Sequence, residues 1–282
     1  MTMRCTRPGR LLPPLLLALS SACGGGGGGS GDDDGGDPGG DIDAAVDGPD
    51  GGGEAGPGLA GTLRDENGDP RNGQQVAACM SHTCLYDTTG LDGRFYFPIE
   101  PSEDIALKTP ERLGEFPRRG ASLCPILIRD QSLVDVGDFH VPSLPDGTFI
   151  EAEDQDPQTL DVGDGLELTL SRGDIEPAVG DTLVDAAARL VTPERRPDQL
   201  AVEGEEIIAV YALHPFAATS SSPIQVRADS TLTAGTAVNF RTISEIDGHF
   251  SEPVSGAADG SVVATDEGLG ITELTWLVIS VP

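Results

Sequence analysis

The sequence predicts an all-β protein, and three of its features support that prediction. From residue 59 onward, apolar or alternating runs of about four to eight residues recur, as half-buried strands require. Turn-forming pairs such as Asn-Gly, Asp-Gly and Asp-Pro separate these runs. The apolar period of an amphipathic helix is missing almost throughout. We therefore expect two β-sandwich modules, at residues 59–143 and 146–282, preceded by a leader and a linker.

Residues 1–22 have the three-part form of an export signal. Arg4, Arg7 and Arg10 give a positive start, an apolar stretch follows, and small residues precede Cys23. The apolar stretch is too short to cross a bilayer, which needs about 20 residues in a helix. We therefore expect residues 1–22 to be a signal peptide that is removed.

The run Leu19-Ser20-Ser21-Ala22-Cys23 resembles the lipobox of bacterial lipoproteins. The resemblance implies that Cys23 becomes the new N-terminus and carries lipid on its sulfur and its amine. The run departs from the family at Ser20, where Leu, Val or Ile is usual. We expect a lipid anchor in the cell envelope, at the outer membrane or cell surface. The alternative is plain secretion, because Ser20 and Ala22 also suit a general signal peptidase.

Residues 23–58 are predicted to form a disordered acidic linker. Beyond Cys23 this stretch is almost entirely Gly, Asp, Ala and Pro, with nine acidic residues and no basic one. Such a composition cannot bury enough apolar surface to offset the entropy lost on ordering. Calcium binding by the acidic run at 31–43 is the alternative, but the spacing of an EF-hand loop is absent. A flexible tether behind a lipid-modified cysteine is the expected role.

The chain carries a formal net charge of -30, and its first 22 residues contain three arginines and no acid. A polyanion of this strength is repelled by nucleic acid and by anionic lipid headgroups. Nucleic acid is therefore excluded as an expected partner. Neutral or cationic partners, or partners bridged by a divalent metal, fit the charge better.

Residues 59–143 are predicted to hold about seven short strands with turns between them. The runs at 59–64 and 74–79 lie on either side of a turn-rich segment, DENGDP. Phe95 and Phe97 are two residues apart, so they point to the same face of a later strand. This spacing of strands and turns is typical of a β-sandwich.

Two short signatures in this module carry a resemblance, D-x-x-G-x-P in the first turn and D-G-R-F in a later one. With neighbouring strand positions they comprise Gly61, Asp65, Gly68, Pro70, Val76, Thr88, Asp92, Gly93, Arg94 and Phe95. The segment is similar to carboxypeptidase regulatory-like domains. The resemblance implies a transthyretin-like sandwich that serves as an accessory module in secreted peptidases, receptors and bacterial surface proteins. It also implies that this module has no active site of its own.

The second module shows the same alternation of strands and turns. Leu166, Leu168 and Leu170 alternate with polar residues, which predicts a half-buried strand. The closing run at 271–281 is apolar on both faces and predicts one central buried strand. The run at 182–191 has both a helix-cap pattern and strand alternation, and the surrounding β pattern favours a strand.

Three cysteines follow Cys23, namely Cys79, Cys84 and Cys124. Export to an oxidising compartment permits one disulfide. Cys79 and Cys84 would face each other across a hairpin with a four-residue loop, so we favour that pair. A zinc site of these three cysteines with His82 is the alternative, but neither C-x-x-C nor H-x-x-x-H spacing occurs. We expect no metal.

No catalytic motif is recognised. The sequence lacks a G-x-S-x-G elbow, a phosphate-binding glycine loop and an H-E-x-x-H helix. His249 and Glu252 spell the H-x-x-E of zinc carboxypeptidases, but no second histidine follows them. His82, His140 and His214 are isolated in sequence. A triad assembled from distant residues stays open, because triads are defined in space.

Aromatic residues are few, at 4% of the chain, and core packing is their default role. A sugar-stacking face is the alternative for Tyr96, Phe97, Tyr211, Phe216 and Trp276. We expect no cofactor and no catalytic residue.

These observations favour a non-catalytic envelope lipoprotein that displays β-sandwich modules to bind a protein or a polysaccharide. The first alternative is an accessory subunit of a secreted hydrolase or envelope transport assembly. The second is a hydrolase with an unrecognised site. A close trio of Ser or Asp with His would favour the enzyme, whereas histidines scattered across separate surfaces would favour the binding module.

Overall fold

A computed structural model describes residues 58–81, 83–99, 104–127, 133–151, 157–178 and 182–282, all within one compact unit. Over these residues the chain forms nineteen strands and two short 3₁₀ turns, which confirms the all-β prediction. No helix in the described part is long and apolar enough to cross a membrane. The predicted signal peptide, Cys23 and the acidic linker up to residue 57 lie outside the described residues.

Seven strands in the first half form two sheets. One is three-stranded in the order β4-β1-β7, and the other is four-stranded in the order β3-β2-β5-β6. Phe95 and Phe97 are both buried on one face of β4, as their spacing predicts. The strands are β1 (Gly58–Arg64), β2 (Gln75–Met80), β3 (Thr83–Thr88), β4 (Arg94–Phe97), β5 (Asp104–Lys108), β6 (Leu123–Leu127) and β7 (Leu133–His140).

The second half is one long sheet with the order β8-β12-β13-β19-β15-β16-β17-β14-β10-β9, and β11 and β18 pair with β14. Because β9 also lies against β12, the sheet curls until it is nearly closed around an apolar core. The strands are β8 (Thr148–Phe149), β9 (Gln158–Gly163), β10 (Leu166–Leu170), β11 (Ile175–Glu176), β12 (Asp185–Leu190), β13 (Glu206–His214), β14 (Ala218–Asp229), β15 (Ala237–Thr242), β16 (Val254–Ala258), β17 (Val262–Thr265), β18 (Ile271–Leu274) and β19 (Trp276–Val281).

Strands β2 and β5 of the four-stranded sheet are buried on both faces, and successive residues of each strand point to opposite sides. On β2, Val76 and Ala78 pack into the core shared with the three-stranded sheet. Ala77 and Cys79 face the other way and join a cluster with residues of β13 and β19. We call this second cluster the junction core. It consists of Ala77, Cys79, Ala106, Leu123, Val191, Leu200, Val210, Ala212, Ile243, Trp276 and Val278.

The closing run of the chain is two strands and not the single strand that its apolar pattern predicts. Ile271–Leu274 pairs with β14, whereas Trp276–Val281 lies between β13 and β15. The break falls at Thr275. Only β19 is apolar on both faces, with Leu277 in the second-half core and Trp276 in the junction core. The central buried strand is therefore confirmed for residues 276–281 alone.

Two other local predictions are confirmed. On β10 the three leucines are buried, and the residues between them are half-buried. Residues Asp185–Leu190 form a strand and not a helix, since the alternation of small apolar residues fits the sheet between β8 and β13.

Candidate binding groove

An open groove of about 580 Å³ runs between residues of the two halves of the chain. This volume lies within the range of small-ligand sites in proteins. One wall comes from β2, β3 and the segment that follows β5, and the other from the β13–β14 and β15–β16 loops. The residues that line the groove are Gln75, Ala77, Tyr86, Lys108, Thr109, Pro110, Glu111, Leu113, Ala178, Phe216, Ala217 and Glu245.

Tyr86 occupies the groove wall because of the β2–β3 hairpin register. It lies opposite Ala77 in the pairing of β2 with β3, so both side chains point to the same face of the sheet. Further along the sheet, the junction core covers this face. At β3 that cover ends, and the Tyr86 side chain is 64% exposed. An exposed aromatic ring beside an apolar floor is a typical ligand contact.

The same hairpin carries the disulfide. Cys79 and Cys84 are cross-strand neighbours with their Cα atoms 4.0 Å apart, and their sulfurs are bonded. The bond fixes β3 against β2 and thereby fixes the position of Tyr86. Cys124 is a free, buried thiol, and burial raises its pKa far above the usual range. A buried, protonated thiol is chemically inert.

The sharp connection between β13 and β14 supplies another part of the groove lining. Phe216 and Ala217 lie in it, and Ala217 has a positive φ of 63°, a conformation rare for residues other than glycine. The Ala217 N–H donates to the Leu274 carbonyl at 2.8 Å, which holds the turn against β18.

Lys108 and Glu245, which both line the groove, form an ion pair. Lys108 Nζ donates to the Glu245 carboxylate and, at 2.9 Å, to the Glu245 carbonyl oxygen. Burial raises the pKa of nearby Glu273 to about 7, and the charges of Glu245 and Asp247 add to this effect while Lys108 opposes it. Lys108 is thus a paired cation in the groove lining, with Glu245 as its partner.

A buried network of charged side chains begins at Glu111, which lines the groove. His214 is only 5% exposed, and its Nδ1 lies 3.0 and 2.9 Å from the two Glu111 carboxylate oxygens. Carboxylate oxygens only accept hydrogen bonds, so Nδ1 carries the proton. His214 Nε2 lies 3.5 Å from Asp185 Oδ1, and Arg118 donates to Asp185 Oδ2 at 2.7 Å. Glu111 and Arg118 belong to the first half, whereas Asp185 and His214 belong to the second.

The network around His214 does not have the arrangement of a hydrolytic triad. A histidine that activates a serine directs one nitrogen to a carboxylate and the other to the hydroxyl. Both nitrogens of His214 are directed to carboxylates. The arrangement instead links the two halves through charge-assisted hydrogen bonds.

The other histidines that are described lie elsewhere. His140 Nδ1 is 3.2 Å from the Asp65 carbonyl, and His249 is a surface residue paired with Asp104 and Asp247. The hydrogen bond to Asp104 raises the pKa of His249, and the charge of Asp247 adds to this. In the described residues, no group of three or more His, Cys, Asp or Glu side chains is placed to hold a metal ion. His82, the histidine of the alternative zinc site, is not among those residues.

The five aromatic residues considered for a sugar-stacking face do not share one. Phe97, Tyr211 and Trp276 are buried in three different apolar clusters. Phe216 lines the groove, but its aromatic companion there is Tyr86, which the sequence did not single out. A lone tyrosine in a polar strand run, TCLYDT, was the available signal. Lys108, Glu111 and Glu245 gave none, because folding alone brings them together.

No protein-family model and no curated protein matches the chain. The lipobox and the carboxypeptidase regulatory-like resemblance therefore stay predictions that rest on the residues quoted for them.

Proposed function

We propose that this protein is a non-catalytic cell-envelope protein, anchored by lipid at Cys23, that binds an extended segment of a partner protein in its groove. The observation that carries the proposal is the open groove itself, with Tyr86 exposed on its wall. The acidic linker would hold the groove away from the membrane. Residues 59–143 would supply most of the binding surface, as expected of an accessory module.

The position of β3 favours a protein ligand. Among the described residues β3 pairs with β2 alone, so it is an edge strand of the four-stranded sheet. An unpaired edge offers backbone donors and acceptors to an added strand. Tyr86 on β3 and Leu113, which both line the groove, expose apolar surface that such a segment would cover.

We propose a non-catalytic role because the charged side chains at the groove are paired with one another. Both nitrogens of His214 face carboxylates, and Lys108 is paired with Glu245. Groups paired in this way position the walls of the groove. A second candidate, polysaccharide binding, is supported by Tyr86 beside the polar side chains of Gln75, Glu111 and Glu245, because sugars stack on exposed aromatic rings and hydrogen-bond to planar polar groups.

The test is photo-cross-linking in cells that make the full chain. A benzophenone amino acid replaces Tyr86 in one variant and Phe149 in the matched control. The two sites are both aromatic and similarly exposed, at 64% and 60%, but Phe149 lies outside the groove. We expect one protein adduct of defined mass from position 86 and none from position 149.

The other outcomes separate the alternatives. An equimolar partner that is a hydrolase or a transport component would make this chain an accessory subunit. No adduct, together with retention on envelope polysaccharide that Tyr86→Ala abolishes, would replace the protein ligand by a glycan. Adducts from both positions, or no binding of either kind, would refute the groove as the binding site.

The anchor is tested separately. Cells fed an alkyne-labelled palmitate should label the wild-type chain, and Cys23→Ala should lose the label and leave the membrane fraction. If the unlabelled wild-type chain is found in the medium, plain secretion is correct.

A further inference from the structure

We propose that the partner segment is a cationic extended strand that pairs with the edge of β3 through the backbone groups of Cys84 and Tyr86. This inference rests on the proposed function, and it names the binding mode and the ligand class of the same site. Among the described residues, β3 pairs with β2 alone, so one side of its backbone faces outward. Strand addition uses backbone groups that face outward in this way.

The pairing of β2 with β3 determines which residues of β3 direct their backbone groups outward. In an antiparallel pair, opposite residues alternate between hydrogen-bonded pairs, with Cα atoms about 5.5 Å apart, and non-hydrogen-bonded pairs, about 4.5 Å apart. The Cα atoms of Cys79 and Cys84 are 4.0 Å apart, so this pair is of the second kind. Ala77 and Tyr86 form the next pair of that kind along the strands. The N–H and C=O groups of Cys84 and Tyr86 therefore point away from β2.

Pro125 on β6 gives the same result independently. Proline has no N–H, so in an edge strand it lies where the backbone groups point out of the sheet. Pro125 lies opposite Ala106 of β5, whose backbone groups therefore point to β2, where Ala106 lies opposite Cys79. The backbone groups of Cys79 are thus directed to β5 and not to β3. Cys84 is left without hydrogen bonds to β2, as the Cα distance also indicates.

The two edges of the four-stranded sheet differ. On β6, Pro125 removes an outward donor, and Gly248 of the β15–β16 loop lies so close that an added Cβ would be 3.2 Å from the Pro125 Cα. Proline and a covering loop are common means of preventing strand addition at an edge. Strand β3 contains no proline. The edge at β3 is therefore the one that can accept a further strand.

The open part of β3 is short. The next outward N–H, that of Thr88, donates to the Asp87 carboxylate at 2.7 Å, which ends the opening on that side. Among the described residues, neither Cys84 nor Tyr86 makes a backbone hydrogen bond beyond the pairing of β3 with β2. These two residues offer two donors and two acceptors, which a segment of a few extended residues can satisfy.

The side chains of an added strand would alternate between two faces. Residues opposite Cys84 and Tyr86 would lie on the groove side, because Tyr86 lines the groove. The residue between them would lie beside Leu85, which is 37% exposed on the other face. Opposite residues of an antiparallel pair contact each other on the same face, so an apolar side chain there would cover Leu85.

The charge of the protein favours a cationic segment. The chain carries a net charge of -30. The groove lining contains Glu111 and Glu245 against a single lysine, Lys108, which is already paired with Glu245. Complementary charge speeds association and selects against partners of like charge. A second copy of this chain and its own acidic stretch at 23–58 are both disfavoured by that repulsion, so the segment belongs to another protein.

The test uses the full chain without its leader, and the probe is a phage-displayed library of random eight-residue peptides. We expect selection to enrich peptides with more Lys and Arg than Asp and Glu. In the free chain, the amides of Leu85 and Asp87 should be protected from hydrogen exchange by β2, whereas those of Cys84 and Tyr86 should exchange quickly. A selected peptide should slow exchange at Cys84 and Tyr86 at least tenfold.

Two variants separate the backbone of residue 86 from its ring. Tyr86→Pro and Tyr86→Ala both lose the ring, but only the proline variant loses the outward N–H, and Pro125 already occupies such a position on β6. We expect a selected peptide to bind Tyr86→Pro about tenfold more weakly than Tyr86→Ala. On the wild-type chain, N-methyl groups placed along the peptide should weaken binding at every second residue only.

Several results would overturn the proposal: no selected peptide, acidic selected peptides, or equal tolerance of every N-methyl group. Protection of Cys84 and Tyr86 in the free chain would also overturn it, because a second copy or the chain itself would then cover the edge. The photo-cross-link at position 86 separates this inference from the proposed function. An adduct in cells together with any of these results keeps the groove as the binding site and refutes strand addition. No adduct and no selected peptide would refute both.

Discussion

Thr275 is fully buried at the break between β18 and β19, and its hydroxyl has no hydrogen-bond partner among the described residues. Leaving such a group unpaired costs about 1–3 kcal/mol. Thr275→Val keeps the shape and removes the hydroxyl, so we expect the free energy of unfolding to rise by ~1 kcal/mol in urea titrations. Thr275→Ser keeps the hydroxyl and loses a methyl group, and should lower it. A less stable valine variant would show that the hydroxyl is paired.

Glu273 gives a prediction about pH. Its pKa is about 7 in the folded chain and about 4.5 when unfolded, so the folded state holds a proton that the unfolded state releases between these values. Stability from this group is therefore complete below pH 4.5 and is lost as the pH rises through 7. We expect Glu273→Gln to raise Tm at pH 8 by ~2–4 °C and to leave it unchanged at pH 4, after allowance for solvent screening of a partly buried carboxyl.

Differential scanning calorimetry of both proteins across pH 4–8 checks this. Glu267→Gln, at an exposed acidic residue near the same end of the chain, is the control and should show no such pH-dependent difference. An equal Tm for Glu273→Gln and wild type at pH 8 would show that the carboxyl is ionised at no cost.

At the level of elements, the β2–β3 hairpin depends on its disulfide. Closing a loop of six residues stabilises a protein by ~2 kcal/mol in the chain-entropy description. We expect reductant to lower the unfolding free energy of the wild-type chain by about that amount. Cys79→Ala with Cys84→Ala should start at the lower value and not respond to reductant, whereas Cys124→Ala should respond as wild type does. A reductant-insensitive wild-type chain would mean that β3 is held by β2 alone.

Elements with a local signal could be predicted from sequence, and assembled features could not. The alternation of Leu166, Leu168 and Leu170 and the spacing of Phe95 and Phe97 each specify one buried face. The closing run is interrupted at Thr275. The polar residues Thr272 and Glu273 were the sequence signal that the part before this break is the less apolar strand. In contrast, Glu111 and His214 are 103 residues apart, and nothing in either segment indicates the other.

At the scale of the whole molecule, the described residues form three stacked apolar clusters, and the middle one joins the halves that the sequence separates at residues 143–146. The junction core takes Ala77 and Ala106 from the first half and Val210 and Trp276 from the second. Trp276 Nε1 also donates to the Ala121 carbonyl at 2.9 Å. Small residues of the four-stranded sheet meet larger ones of the long sheet, so the two sheets lie in close contact. Exposure of either face would cost hydrophobic free energy in proportion to its area.

This stacking predicts that the two halves unfold together. Ala106→Glu puts a carboxylate into the junction core, where the alanine is fully buried, and should lower the unfolding free energy by ~3 kcal/mol or more. Ala257→Glu, at an exposed alanine of β16, is the matched control and should change it little. Trp276, the sole tryptophan, reports the junction by fluorescence, and hydrogen exchange reports each half.

We expect the fluorescence transition and the exchange of β1–β7 and β9–β19 peptides to shift to the same lower denaturant concentration in Ala106→Glu. Coincident transitions indicate one cooperative unit. If the β9–β19 peptides stay protected while those of β1–β7 exchange, the modules at 59–143 and 146–282 fold independently. The groove between them would then be a hinge between two separate domains, and a ligand bound to both walls would couple their stabilities.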